Sequence, residues 1–303
     1  MNRFMGFTRR NILIYFKDKS SIIFSMITPI IVFLLYVLFL KGTFVNGLNN
    51  AAAPIKDFIK AGDIDSLANG FLLAGILGSS LITVPYNCLI TIVNDRERKV
   101  DYDILSTPLS RIEIILSYFA GAAACAFIMS AVILTVGLTA LSLSGEMYLT
   151  GKVIAMLYLT ALLGSLSSTA IFMIVVMFFK TNASVGAFMG IISAAAGFII
   201  GAFIPLSEFS KGVQNFCFLF PATAVTILLR RNILSGVLSN IDTTLNGLDG
   251  GLFKQTVEEA FDFKFKFMGN LLSEAGTCYY ILGVTLLAVI AIGVIYPKVY
   301  KRK

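Results

Sequence analysis

Histidine is absent from this 303-residue chain. That removes Ser–His and Cys–His nucleophile pairs and the histidine-containing zinc sites of metal hydrolases. The phosphate-binding pattern G-x-x-x-x-G-K-[ST] is absent too. The one Gly-Lys pair, Gly151–Lys152, is followed by Val153, so the chain does not bind ATP through a P-loop. Cysteine is scarce: Cys88, Cys125, Cys217 and Cys278 match no zinc or redox spacing. Apolar packing suits them better than a Cys217–Cys278 disulfide. There is no internal repeat, heptad run or low-complexity tract. Charged residues make up 14% of the chain, against about 25% in a soluble domain.

What fills the sequence instead is apolar. The mean hydropathy is +0.86 and 57% of residues are hydrophobic. A bilayer core of about 30 Å needs about 20 apolar residues in a helix. Six runs meet that length, at roughly 22–40, 70–93, 114–142, 153–178, 183–204 and 278–297. Their continuous apolarity favours helices over barrel strands, which would alternate. The fold class is therefore an all-α polytopic membrane protein with six transmembrane helices. The first run is too long for the core of a signal peptide and reads as an uncleaved span. A shorter run, 216–229, is interrupted by Pro221 and reads as re-entrant.

With six spans both termini face the cytoplasm. Fourteen of the 24 basic residues then lie inside, with only six of the 17 acidic ones, as the positive-inside rule requires. The basic balance reflects topology and contact with anionic lipid headgroups, and does not point to nucleic acid. The expected location is the cell membrane. Residues 2–20 form a basic leader with Arg3, Arg10 and Lys17 on one helical face. They read either as an amphipathic interfacial helix or as a topology-setting tail. Residues 205–277 make up the largest outer segment. Within it, helical spacing at Val257/Phe261 competes with alternation at Phe261, Phe263, Phe265 and Phe267.

No Asp, Glu, Lys or Arg lies deep in any of the six runs. Ion-coupled carriers accept an intramembrane charge, at about 2.5–3.5 kcal/mol on insertion scales, because coupling needs it. If this chain moves a substrate, the energy comes from another subunit. Within the second run Thr83, Tyr86 and Asn87 flank Pro85; they either line a translocation path or bond a neighbouring helix. Gly186, Gly190, Gly197 and Gly201 fall on one helical face, a small-residue stripe for helix packing inside the subunit or between subunits.

Between the second and third runs stands a compact charged link, 94–107. Asp95, Arg96, Glu97, Arg98, Lys99, Asp101 and Asp103 supply its charge, and Val100, Ile104 and Leu105 an apolar edge. The spacing predicts a short amphipathic helix capped by Asn94 and ended at Pro108. Ser110-x-x-Glu113 is then a capping box for the third span.

The stretch from Arg96 through Leu105-Ser-Thr-Pro108-x-Ser110-Arg111-x-Glu113-Ile-Ile-Leu116 resembles the charged turn and L-x-T-P-x-S-R-x-E-I-x-L signature of type-2 ABC transporter permeases. Val100 stands where that family often has Gly, and Ser117–Tyr118 where Gly-Lys often follows. The leader resembles the family's connecting helix, and the Pro205–Pro221 region its outer re-entrant helices. The resemblance implies a single permease domain over 1–303. In it, 2–20 is the connecting helix, 94–107 the coupling helix, and 205–277 the outer re-entrant and loop region. It further implies an exporter, and the apolar, Phe- and Met-rich spans suit an amphipathic substrate: a drug, a peptide antibiotic or a lipid-linked molecule. No cofactor would be bound directly. ATP would act through two ABC ATPase subunits docked on 94–107, and a second permease subunit would complete a homo- or heterodimer. The alternative is a secondary transporter or channel working without an ATPase.

Overall fold

The computed structural model describes residues 3–144, 148–245, 248–267 and 269–299. The basic residues Lys301, Arg302 and Lys303 lie outside them. The described residues are almost entirely helical. α1 (Arg3–Lys17) is followed by α2 (Lys19–Leu35), and the break between them is set by Asp18. Its carboxylate accepts from Ser20 N at 3.0 Å and from the Ser21 hydroxyl at 2.7 Å, capping α2. α2 passes through a π turn, Tyr36–Leu40, into α3 (Lys41–Ala51). The remaining long helices are α4 (Ala61–Glu97), α6 (Arg111–Ser144), α7 (Gly151–Val176) and α8 (Asn182–Ile199). Short α5 (Val100–Ser106) joins α4 to α6. Beyond α8 come α9 (Lys211–Phe218), α10 (Pro221–Leu245), α11 (Leu252–Ala260), the two-residue strands β1 (Lys266–Phe267) and β2 (Asn270–Leu271), and α12 (Glu274–Val299).

Six helices among the described residues are long and apolar enough to cross a membrane, and each coincides with one of the six apolar runs. The α2–α3, α4, α6 and α12 helices outlast their runs at both ends, because a helix continues into the polar zone once its backbone bonds are made. α4 is the axis of the bundle. It packs against α2, α6, α7, α8 and α10, and 89% of its most apolar window is buried. Such burial demands close helix approach at particular points. A Cβ at Gly78 would collide with the Thr226 hydroxyl of α10, and one at Gly164 of α7 would press on Leu81 and Val225. α4 runs unbroken through Pro85.

The segment after α8 differs most from its sequence expectation. The apolar run 183–204 is helical only to Ile199; Gly201 then takes a left-handed φ of 67° and turns the chain. α9 and α10 meet at 90°, the bend of either a broken span or a re-entrant pair. α10, however, continues to Leu245 and is buried along most of its length against α4 and α7. Much of 205–277 is thus bundle core and not loop. The apolar run stops at Arg230–Arg231, so composition hid the helix beyond it. Both patterns at 257–267 hold, each on its own stretch. Phe253 and Val257 are buried from helical α11, and the chain then extends with Phe261, Phe263 and Phe265 buried alternately.

Arg230 is a fully buried charge that the apolar runs did not disclose. Its guanidinium donates to Phe261 O at 2.6 Å and Gly201 O at 2.9 Å, and lies 4.2 Å over the Phe71 ring. Asp262 stands 4.0 Å away. The Asp262 carboxylate in turn accepts from the backbone N–H of Leu206 and Ser207. Burial pushes that carboxyl up, against the opposing pull of Arg230 and the two N–H groups. One side chain thus ties the α8–α9 turn, the end of α11 and α4 together.

Replacing Arg230 with Met leaves two buried carbonyls and Asp262 without their partner. A loss of about 3–5 kcal/mol is expected, seen as a lower thermal midpoint in detergent. Arg231→Met, at a side chain 44% exposed and paired with Glu274, should cost no more than about 1 kcal/mol.

Candidate functional site

The charged link sits at the α1 end of the bundle. It is not one helix starting at Asn94. α4 carries straight on to Glu97, Arg98 caps it, and Lys99 adopts a left-handed φ of 62°. That reversal starts α5, whose first turn places Asp101 and Asp103 at the positive end of its dipole. Ile104 is buried beneath α5, with Val100 and Leu105 packed beside it. Pro108 follows, and the capping box then forms as its spacing predicts. Ser110 N donates to Glu113 Oε2 at 2.7 Å, and Glu113 N to Ser110 Oγ at 3.2 Å.

The elbow sorts its charges into three groups. Asp95 points inward and is buried. Its two oxygens accept from Arg10 Nη1 and Nη2 of α1 at 2.8 and 2.9 Å, and Tyr118 of α6 donates to it through its hydroxyl. This bidentate pair satisfies both oxygens of a carboxylate that burial would otherwise strand. Arg10 is raised above its ordinary value by that hydrogen bond, partly offset by its own burial. Phe7 completes the node, edge-on to Tyr118 at 5.1 Å and 5.4 Å from the Arg10 guanidinium.

Arg96 and Glu97 form the second group and point toward the α7–α8 turn. Arg96 donates to Phe179 O at 3.3 Å, and Glu97 accepts from Asn182 N at 3.0 Å, on the first turn of α8. The third group faces outward. Arg98, Lys99 and Asp103 are exposed, with Tyr102 53% exposed between them. Asp101 is half-buried. Of the seven link residues singled out in the sequence, Glu97, Arg98, Lys99 and Asp103 are exposed, and Tyr102 joins them. No sequence rule separates these sets, because all seven lie within nine positions.

α1 reaches this node because it lies along α6 and α4, not apart from the bundle. Gly121 of α6 faces Asn11 and the Thr8 carbonyl closely. The Tyr15 hydroxyl donates to Ser25 Oγ of α2 at 3.0 Å, and the Ser25 carbonyl accepts from Thr83 of α4 at 2.7 Å.

Thr83, Tyr86 and Asn87, read as lining a path or bonding a neighbouring helix, are buried within the subunit. Tyr86 donates to Val185 O at 2.9 Å between the rings of Phe172 and Phe188, and Asn87 donates to Thr83 O at 3.0 Å. Thr83 and Tyr86 tie α4 to α2 and α8, whereas the Asn87 bond stays within α4. The glycine stripe also divides. Gly197 meets the Phe203 ring and Gly201 lies past the helix end, whereas a Cβ at Gly186 or Gly190 would meet open space. Gly190 instead lines an apolar groove of about 640 Å³ between α2 and α8, with Ile31, Leu35, Phe39, Ser193 and Ala194. This groove was missed in the sequence. The signal available was α2 itself, apolar on every face, and therefore not fully covered by its own subunit.

A family model describing ABC-2 family transporter proteins matches residues 46–296. Neither the curated proteins nor the solved structures contain a match to the chain.

Asp95→Asn keeps the shape of the node and removes its charge. It should destabilise by about 2 kcal/mol, between exposed and fully buried pairs, because the Arg10 side chain is 33% exposed. Tyr118→Phe should cost about 1 kcal/mol. A double-mutant cycle on Arg10 and Asp95, read from thermal unfolding in detergent, should show coupling; additive losses would place the two residues in separate roles.

Proposed function

The chain belongs to the ABC-2 family of transporter proteins, and from that membership we propose that it is the permease subunit of an ATP-driven exporter. It is a multi-pass membrane transport protein and not itself a catalyst. The observation that carries the finer reading is the elbow: a solvent-facing charged helix held on two sides. Asp95 fixes it to α1 and α6, and Glu97 fixes it to the start of α8. A push on α5 would therefore move α4, α6 and α8 as rigid bodies, which suits a transporter driven from outside its own chain. The sequence has no P-loop, so ATP would be hydrolysed by two separate ATPase subunits seated on Arg98, Lys99, Tyr102 and Asp103. This assignment places the elbow, α1 and both termini in the cytoplasm, as the distribution of Lys and Arg favours.

The α2–α8 groove supports the second partner. Its apolar walls and the open faces of Gly186 and Gly190 suit close approach by another permease subunit in lipid. An amphipathic substrate would cross between the two subunits, along this surface and not past Tyr86.

Charge reversal at Arg98 and Lys99 together should release a co-expressed ABC ATPase in a co-purification experiment, while the folding stability stays within about 1 kcal/mol of wild type. Full retention of the ATPase would refute docking at the elbow. Ser193→Cys, in a background with the four native cysteines replaced, should give a disulfide-linked dimer in membranes; monomer alone would remove α8 from the subunit interface.

A further inference from the structure

At the end of the bundle away from α1, a cleft of about 360 Å³ opens between α2, α4 and α6. Its walls are apolar, from Phe33 and Val37 on α2 and its π turn, Ile76 on α4 and Ala140 on α6, and Lys41 and Asn69 stand at its mouth. Lys41 is the first charged residue after the apolar run of α2, so the mouth lies where hydrocarbon gives way to headgroups. Phe33 lies eight residues deeper, about 12 Å at 1.5 Å per residue. Spread over that depth, 360 Å³ leaves a cross-section of about 30 Å². That admits one acyl chain and excludes a helix about 10–12 Å across.

The mouth carries charge of both signs. Lys41 Nζ lies 3.5 Å from Asp65 Oδ1, and both side chains are largely open, at 40% and 54%. A surface pair of this kind contributes little to folding and is free to trade partners. A head group with a phosphate and an ammonium matches it: phosphate on Lys41, ammonium on Asp65. An anionic head group would instead bring its phosphate beside the Asp65 carboxylate. The cleft wall also includes the π turn, a rare distortion that recurs at functional sites. The Tyr36 hydroxyl, at the first residue of the turn, donates to Ala68 O of α4 at 2.6 Å.

We propose that this cleft binds one zwitterionic phospholipid of the phosphatidylethanolamine type, its acyl chain between α2, α4 and α6 and its head group on Lys41 and Asp65. The site belongs to the bundle alone and requires neither an ATPase nor transport.

The test is native mass spectrometry of the full chain released from bilayers of equal phosphatidylethanolamine and phosphatidylglycerol. Wild type should retain phosphatidylethanolamine about fivefold over phosphatidylglycerol. Ala140→Phe, which fills the cleft at an exposed position, should lower retention about fivefold, whereas Leu286→Phe on the exposed face of α12 should not. Asp65→Asn, an exposed change that leaves the cleft intact, should move the preference toward phosphatidylglycerol. Equal retention of both lipids by wild type, unchanged retention in Ala140→Phe, or an unaltered preference in Asp65→Asn would each overturn the site. Thermal midpoints of the variants separate lost lipid from lost fold.

Discussion

A carboxylate that burial forbids to stand alone organises one end of this molecule. Asp95 sits within a turn of the end of α4, inside the packed bundle. It is accommodated because Arg10 meets both its oxygens and Tyr118 supplies a third donor. The consequence is geometric. α1 has to lie across α4 and α6, and it cannot drift onto the membrane surface without stranding Asp95. With α1 fixed and Glu97 on the start of α8, the elbow beyond becomes a rigid extension of the long central helix. Its exposed charges then sit on a platform and not on a loose loop.

The opposite end meets the same constraint with another partner set. Arg230 is buried as fully as any apolar core residue, and its positive charge is met mainly by main-chain carbonyls and an aromatic face, with Asp262 more distant. Those carbonyls are available because Gly201 breaks α8 and α11 ends at Phe261. A charge so committed is unsuited to carrying ions across. Between the two nodes the bundle is held by close approaches at glycine and by hydroxyl-to-carbonyl bonds such as Thr83 to Ser25, the means available where lipid offers no hydrophobic drive to pack.

Much of this was readable in the chain. The six spanning helices, the Ser110/Glu113 capping box and the apolar underside of α5 follow from spacing, because helix periodicity and capping act over a few residues. The extent of α10 did not, since the run of apolar residues stops at Arg230–Arg231 while the helix continues to Leu245. Nor did the fate of Gly186 and Gly190. A stripe of small residues shows that something can approach closely, but not whether it is this chain or another; here the chain leaves them open.

The sequence by itself determined the class: apolar runs long enough for a bilayer, no histidine for metal or acyl-transfer chemistry, no phosphate loop, and a charged interruption that must leave the hydrocarbon. Those are properties of composition and local spacing, and any fold would have to respect them. Only the tertiary structure decided how each residue is used. It turned Asp95 inward and Arg98 outward within one turn of helix, buried Tyr86 and Asn87 among packed helices, and opened grooves beside α2 that no motif marks. The physical reason is that a side chain's role rests on which distant groups surround it. Arg10 meets Asp95 across 85 positions of sequence, a separation over which spacing carries no information.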